Sequence, residues 1–118
     1  DSSPSCIRLI HRNIEHLGLE EQCKAIKMDA LRFLGNPPLL PKSDIVYVDP
    51  PYEKAELFTR SIQLLGEGKL LNAGALVVGE HMRKAELPET AGGLALRETR
   101  RYGRKTRVSI WSYSEEKA

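Results

Sequence analysis

The apolar run Ile45 to Val48 leads straight into Asp49-Pro50-Pro51-Tyr52. A short continuous apolar stretch bounded by turn residues reads as a buried parallel strand. Two successive prolines hold φ at about −65° and donate no backbone N–H, so the strand must stop and the Pro50 carbonyl is left without a ladder partner. An acid, a free carbonyl and an aromatic ring then stand together at a strand's C-terminal end. In open α/β sheets that is where ligands bind.

The flanking sequence supplies the alternation such a sheet needs. Ser3-Pro4 is an N-cap followed by proline at the first helical position. Ile7, Ile10, Ile14 and Leu17 recur at helical spacing before Gly18, so residues 4 to 17 form a helix with one face packed. Cys23 to Met28 reads as a short strand ending in a second acid, Asp29-Ala30, with a helical turn through Leu31, Phe33 and Leu34 behind it. Gly35 to Lys42, carrying Pro37, Pro38 and Pro41, is a loop between two α/β units. Residues 53 to 65 are helical and bury Leu57, Phe58, Ile62 and Leu65. After the turn signal Asn72-Ala73-Gly74, Ala75 to Val78 is a second fully buried strand ending in Gly79-Glu80-His81. Leu94 to Tyr102 and Thr106 to Tyr113 form an antiparallel hairpin around Gly103-Arg104-Lys105. In its second arm Val108, Ile110 and Ser112 face one way and Ser109, Trp111 and Tyr113 the other, so both faces are expected to be covered. Ser114 to Ala118 are expected to fray. Strands alternating with helices predict a mostly parallel α/β sheet with an antiparallel edge, in a single domain over residues 1 to 118.

Charge matters here by position. The net charge is only +2, but Arg97, Arg100, Arg101, Arg104, Lys105 and Arg107 crowd the hairpin against a single Glu98, a pattern that suits either a solvated surface or phosphate contacts. Cys6 and Cys23 show no metal or redox spacing and read as reduced packing thiols of a cytoplasmic protein; no metal site is expected. No run approaches the ~20 apolar residues of a membrane span, and no secretory signal opens the sequence.

The Asp-Pro-Pro-Tyr unit suits a planar group bearing an exocyclic amine. Asp49 and the Pro50 carbonyl can each accept one N–H, aiming the nitrogen lone pair at an electrophile. Tyr52 can stack on the ring, worth ~1–3 kcal/mol at comparable sites. Such an amine is a poor nucleophile, so orientation would carry most of the catalysis, a contribution of about 7–11 kcal/mol at best. Taken alone, the four residues also suit the plainer task of ending a strand and capping a helix.

In order along the chain, Asp29-Ala30, Ile45-Val46-Tyr47-Val48-Asp49-Pro50-Pro51-Tyr52, Val78-Gly79-Glu80-His81 and Arg101-Tyr102-Gly103 resemble the RsmD family, over essentially the whole sequence. Those are S-adenosylmethionine-dependent methyltransferases acting on a guanine N2 amine of small-subunit (16S) ribosomal RNA. The resemblance implies a Rossmann-like class I methyltransferase sheet. It also implies that Asp49, Pro50, Pro51 and Tyr52 form the catalytic motif and that Asp1, Asp29, Ala30 and Asp49 contact S-adenosylmethionine. Glu80 and His81 would line the substrate side, and Arg100, Arg101, Tyr102, Arg104 and Lys105 would contact RNA, with ribosomal RNA or the small ribosomal subunit as partner.

One family element is missing. No glycine-rich loop follows a first strand, and Gly66-x-Gly68 and Gly92-Gly93 neither follow a strand nor open a helix. By resemblance the sequence corresponds to the C-terminal part of a methyltransferase domain, lacking its first two strands and binding cofactor weakly or not at all. The 23 to 28 strand would then move beside 45 to 48, or stay exposed with its helix, or leave a space for self-association or for the N-terminal part of the fold. The tetrapeptide also permits an adenine-N6 DNA or protein-glutamine methyltransferase, and the basic hairpin permits a non-catalytic RNA-binding module.

Overall fold

The computed structural model describes residues 1–115; the expectation that the C-terminus frays falls, for residues 116–118, outside the described residues. Its elements are α1 (Pro4–His16), α2 (Ala30–Gly35), β1 (Ser43–Val48), α3 (Ala55–Leu65), β2 (Leu71–Met82), β3 (Thr90–Ala91), β4 (Leu94–Tyr102) and β5 (Thr106–Tyr113). The strands form one sheet in the order β1-β2-β5-β4-β3. The expected α/β sheet with an antiparallel hairpin is present, but parallel pairing is confined to β1 and β2, and the other three pairings are antiparallel.

The reason lies in residues 23 to 28, which form no strand. Their ladder is reduced to one parallel-type pair of bonds, in which Asp1 N donates to the Ile26 carbonyl at 3.1 Å and Met28 N to the Asp1 carbonyl at 2.9 Å. Of the arrangements expected from sequence, the segment takes the one in which it stays apart from β1 with its helix. β1 is accordingly an edge strand rather than a buried one, with Ile45 68% and Tyr47 60% exposed.

α3 covers one face of the sheet. Phe58, Ile62 and Leu65 on the helix meet Leu71, Ala75, Val77, Leu94 and Trp111 from the strands in the main core. Trp111 is fully buried, and its indole N–H donates to the Pro88 carbonyl at 2.9 Å, so a large apolar ring is buried without orphaning its donor. Ser61 and Leu64 join the predicted buried face, whereas Leu57 is only half-buried. By register the opposite face carries Ile45, Tyr47, Leu76, Val78, Glu80, Val108 and Ile110. Contrary to the expectation of two covered faces, this one is open, and Leu76 is 40% exposed.

β2 is longer than its sequence signal. Between Ser43↔Leu71 and Ile45↔Leu76 the register slips, so Asn72-Ala73-Gly74 is an irregularity within the strand instead of a turn before it, with Gly74 at φ +82°. Gly79, Glu80 and His81 are therefore strand residues rather than a polar end. α1 is capped as predicted, the Ser3 hydroxyl accepting from Cys6 N at 3.3 Å. Its apolar stripe is nonetheless largely uncovered: Ile7 is buried, but Ile10 is 38% and Leu17 66% exposed. Cys6 and Cys23 are free, but they are exposed and not packing thiols.

Candidate active site

Parallel pairing sets the C-terminal end of β1 beside β2 a few residues before β2 ends. Val48 is opposite Gly79, so the next residues, Asp49 just past β1 and Glu80 within β2, stand together. Glu80 is the hub. Its Oε2 accepts from the Tyr47 hydroxyl at 2.8 Å and its Oε1 from the Tyr52 hydroxyl at 3.0 Å. The Tyr52 hydroxyl also lies 2.8 Å from Thr106 Oγ1, at the start of β5. Partial desolvation of the exposed Asp49 carboxyl, with the negative charge of Glu80 added, pushes its pKa above the ordinary aspartate value. Hydrogen bonding to the Glu80 carboxylate raises Tyr47.

The motif's backbone behaves as two prolines require. Lys54 N donates to the Pro51 carbonyl at 3.0 Å, whereas among the described residues no donor is bonded to the Pro50 carbonyl. A cavity of about 140 Å³ lies behind the motif, walled by Pro50, Pro51, Tyr52, Phe58, Glu80 and His81. His81 is only 3% exposed. Its Nδ1 is 2.9 Å from the Met82 carbonyl, which can only accept, so Nδ1 carries a proton, and in the neutral ring Nε2 accepts from the Ser109 hydroxyl at 2.7 Å. Thr99 Oγ1 lies 2.8 Å from that hydroxyl oxygen. With both nitrogens engaged and its ring 5.1 Å from that of Phe58, His81 builds the wall and leaves no ring nitrogen for a substrate.

On the other side of β1 a larger cleft of about 580 Å³ separates the strand from the Asp1 and 24–30 region. Asp1, Asp29, Ala30, Asp49 and Pro50 all line it. Asp1 Oδ1 accepts from Ser3 N at 2.8 Å and Asp29 Oδ2 from Arg32 N at 3.1 Å, so each carboxylate is fixed through one oxygen and keeps the other for hydroxyl or amine donors. That pair of acceptors fits one wall of a nucleoside site.

The basic hairpin is divided by its pleat. Arg100 and Tyr102 share a face with Val108 and Thr106, while Arg101 is opposite Arg107 on the other. Arg100 is held by Glu98 at 2.7 Å, and Arg101 Nε donates to the Gly103 carbonyl at 3.3 Å. Arg104 and Lys105, at the tip, are exposed, and their side chains have no hydrogen bond or ion pair among the described residues, although the Lys105 carbonyl accepts from Arg83 N at 3.3 Å. The structure thus brings Asp49, Pro50, Tyr52 and Glu80 together, sets the hairpin tip beside them through Thr106, and leaves Asp1 and Asp29 across the cleft. Sequence reasoning missed Tyr47 and Thr106. Strand alternation, which puts Tyr47 on the same face as Asp49, offered a signal for the first; the second is a contact between segments 54 residues apart and had none.

A family described as "Conserved hypothetical protein 95" matches residues 1–111. The chain belongs to this family. It is the RsmD family of the sequence resemblance. Among its relatives, "putative rRNA methyltransferase YlbH" of Bacillus subtilis is 30% identical over 115 residues, which are 94% of this chain and 60% of YlbH. The solved structure of "putative methylase HI0767" from Haemophilus influenzae aligns with a TM-score of 0.83 and 25% identity, over 98% of this chain and 70% of the other. A conserved hypothetical protein of Streptococcus pyogenes gives 0.81 and 26%, over 97% and 69%. This RsmD-family chain therefore spans about 60% of the curated relative's length, and its sheet is a Rossmann-like methyltransferase sheet without its first strands.

Proposed function

We propose that this chain forms the substrate-receiving half of an S-adenosylmethionine-dependent methyltransferase acting on the N2 amine of a guanine in small-subunit ribosomal RNA. The observation that carries the reading is the junction of Asp49, the unpartnered Pro50 carbonyl and the Glu80-anchored Tyr52 where β1 ends beside the parallel strand β2. When bound, S-adenosylmethionine would supply the methyl group as an electrophile; Asp1, Asp29, Ala30 and Asp49, which line one cleft, are the residues that would hold it. Asp49 and the Pro50 carbonyl accept the two N–H bonds of the amine, which turns the nitrogen lone pair away from the ring. As the nitrogen gains its new bond to carbon it must lose a proton. The raised pKa of Asp49 makes its carboxylate a better acceptor than an ordinary aspartate. Tyr52 stacks on the base, and Arg104 and Lys105 meet the RNA phosphates.

The cleft beside β1 supports a further part of the reading, that the site is completed by a strand seated between β1 and the Asp1 segment. β1 has a free edge there, the Asp1 segment shows parallel-type pairing, and relatives with the same fold are longer. The occupant we assign is the portion of the family's fold outside this sequence. The 118-residue chain alone is then expected to bind S-adenosylmethionine weakly or not at all by calorimetry, and micromolar affinity would oppose the reading. Supplied with the part of YlbH that the match leaves uncovered, or with its own equivalent, it should transfer labelled methyl to small ribosomal subunits, and Asp49→Ala should abolish transfer. Equal incorporation into DNA or protein would overturn the substrate assignment.

A further inference from the structure

The proton count around Tyr52 has only one solution. Its hydroxyl lies 3.0 Å from Glu80 Oε1 and 2.8 Å from Thr106 Oγ1. The Glu80 carboxylate can only accept, so Tyr52 gives it the single phenolic proton, and Thr106 must donate to the phenolic oxygen. Glu80 is anchored at its other oxygen by Tyr47. Four segments, β1, the loop after it, β2 and β5, are thereby tied at one point. Thr106 is paired with Tyr102, and only Gly103, Arg104 and Lys105 lie between them at the hairpin tip. The phenolic ring of Tyr52 is thus fixed at its far end by the same residue that closes the basic hairpin.

We propose that Glu80 and Thr106 are positioning residues that lock the Tyr52 ring and couple its orientation to the tip carrying Arg104 and Lys105. The inference rests on the reading of Tyr52 as the base-stacking residue, and it adds a division of labour. The tip supplies affinity for phosphate, and the Thr106–Tyr52–Glu80 chain converts correct seating of the tip into correct placement of the ring. A ring held by two hydrogen bonds at its hydroxyl loses little further freedom when a base stacks on it, so the benefit appears in the chemical step more than in RNA affinity. Thr106→Val preserves shape and β-branching while deleting the donor, and Thr106→Ser restores it.

Two measurements test this. In the 118-residue chain with labelled tyrosine, NMR should show a slowly exchanging Tyr52 hydroxyl proton and an ordered ring. Thr106→Val and Glu80→Ala should each speed the exchange and loosen the ring, and Thr106→Ser should restore both. Identical Tyr52 behaviour in the wild-type and Thr106→Val chains would overturn the proposal. In the complemented protein, Thr106→Val should lower kcat for RNA methylation about 10–100-fold, with KM within about twofold, the scale expected of a small misplacement. Arg104→Ala with Lys105→Ala should instead raise KM. A Thr106→Val effect confined to KM would also overturn the coupling. If the wild-type protein methylates no RNA, the reading of its function fails, while the NMR result still decides whether the clamp exists.

Discussion

At Asp49 electrostatics and the proposed role pull in opposite directions. Desolvation and then the charge of Glu80 raise its pKa, which means that the folded protein holds an ionised Asp49 at a cost. For a carboxyl raised on folding, the favourable contribution is complete below the unfolded value, about 3.9, and is lost as pH rises through the folded value. Asp49→Asn should therefore match or slightly exceed the wild-type chain in thermal stability at pH 7, and that advantage should vanish on acidification below the unfolded value. Because Asp49 is exposed, the difference will be small. Activity should run the other way: Asp49→Asn abolishes methyl transfer by the complemented protein, and the wild-type rate falls with decreasing pH at a midpoint above that of an ordinary aspartate. Paired melting curves and a pH–rate profile check both signs. A loss of stability at pH 7 in Asp49→Asn would assign the residue to the fold rather than to chemistry. The motif was legible from sequence because two prolines leave the backbone few choices. The Glu80 hub was only half legible, since its place beside Asp49 depends on the register between two strands that no local pattern fixes.

At the scale of elements, the contact between α3 and β2 sets the site's floor. Gly79 is a strand residue whose missing side chain is needed: a Cβ there would stand 2.5 Å from Phe58 Cζ and 3.3 Å from Trp111 Cζ3. Both rings are buried and the Phe58 ring packs on His81, so the clash is relieved only by displacing a packed ring. Gly79→Ala should destabilise the chain by about 1–3 kcal/mol, the usual cost of overpacking, measured as a lower denaturant midpoint at unchanged m-value. Gly74→Ala, in open space but at φ +82°, should cost less and leave the core signal of Trp111 unchanged. α3 and the β4–β5 hairpin were readable because their apolar periodicities are satisfied within the chain by α3 packing on the sheet. The strand expected at Cys23 to Met28 had an equally good local pattern, and α1 an equally clear stripe. Neither met a partner, so propensity alone did not build a ladder or a buried face. The turn signal at Asn72-Ala73-Gly74 was real in its glycine conformation but was absorbed as a strand irregularity, because the β1 pairing resumes after it.

For the molecule as a whole, the uncovered surfaces have a common direction. The free edge of β1 leaves backbone N–H and C=O groups unpaired, and the open sheet face exposes the side chains of Ile45, Tyr47 and Leu76; an isolated protein would ordinarily hide both. The stripe of α1, with Leu9 56% and Leu17 66% exposed, adds a third. An unpaired edge and an unpacked face call for different partners in general, a strand for the first and a helix for the second. One α/β unit inserted into the cleft satisfies both, because a parallel strand beside β1 brings its crossover helix onto a sheet face. On its own, then, the chain should bind a hydrophobic dye such as anilinonaphthalene sulfonate and exchange the outward-facing β1 amides rapidly. Adding the uncovered part of YlbH, or its own equivalent, should suppress the dye signal and protect those amides together. Sedimentation separates this from the rival occupant: a concentration-dependent homodimer that already protects β1 would mean that a second copy of the chain takes the place. A monomer that binds no dye and protects its β1 edge unaided would mean that the cleft needs no occupant. A heterologous complex with one copy of each part, appearing with the loss of dye binding, is the expected outcome. It would put the added part in the cleft that Asp49 and Asp1 already line from its two sides.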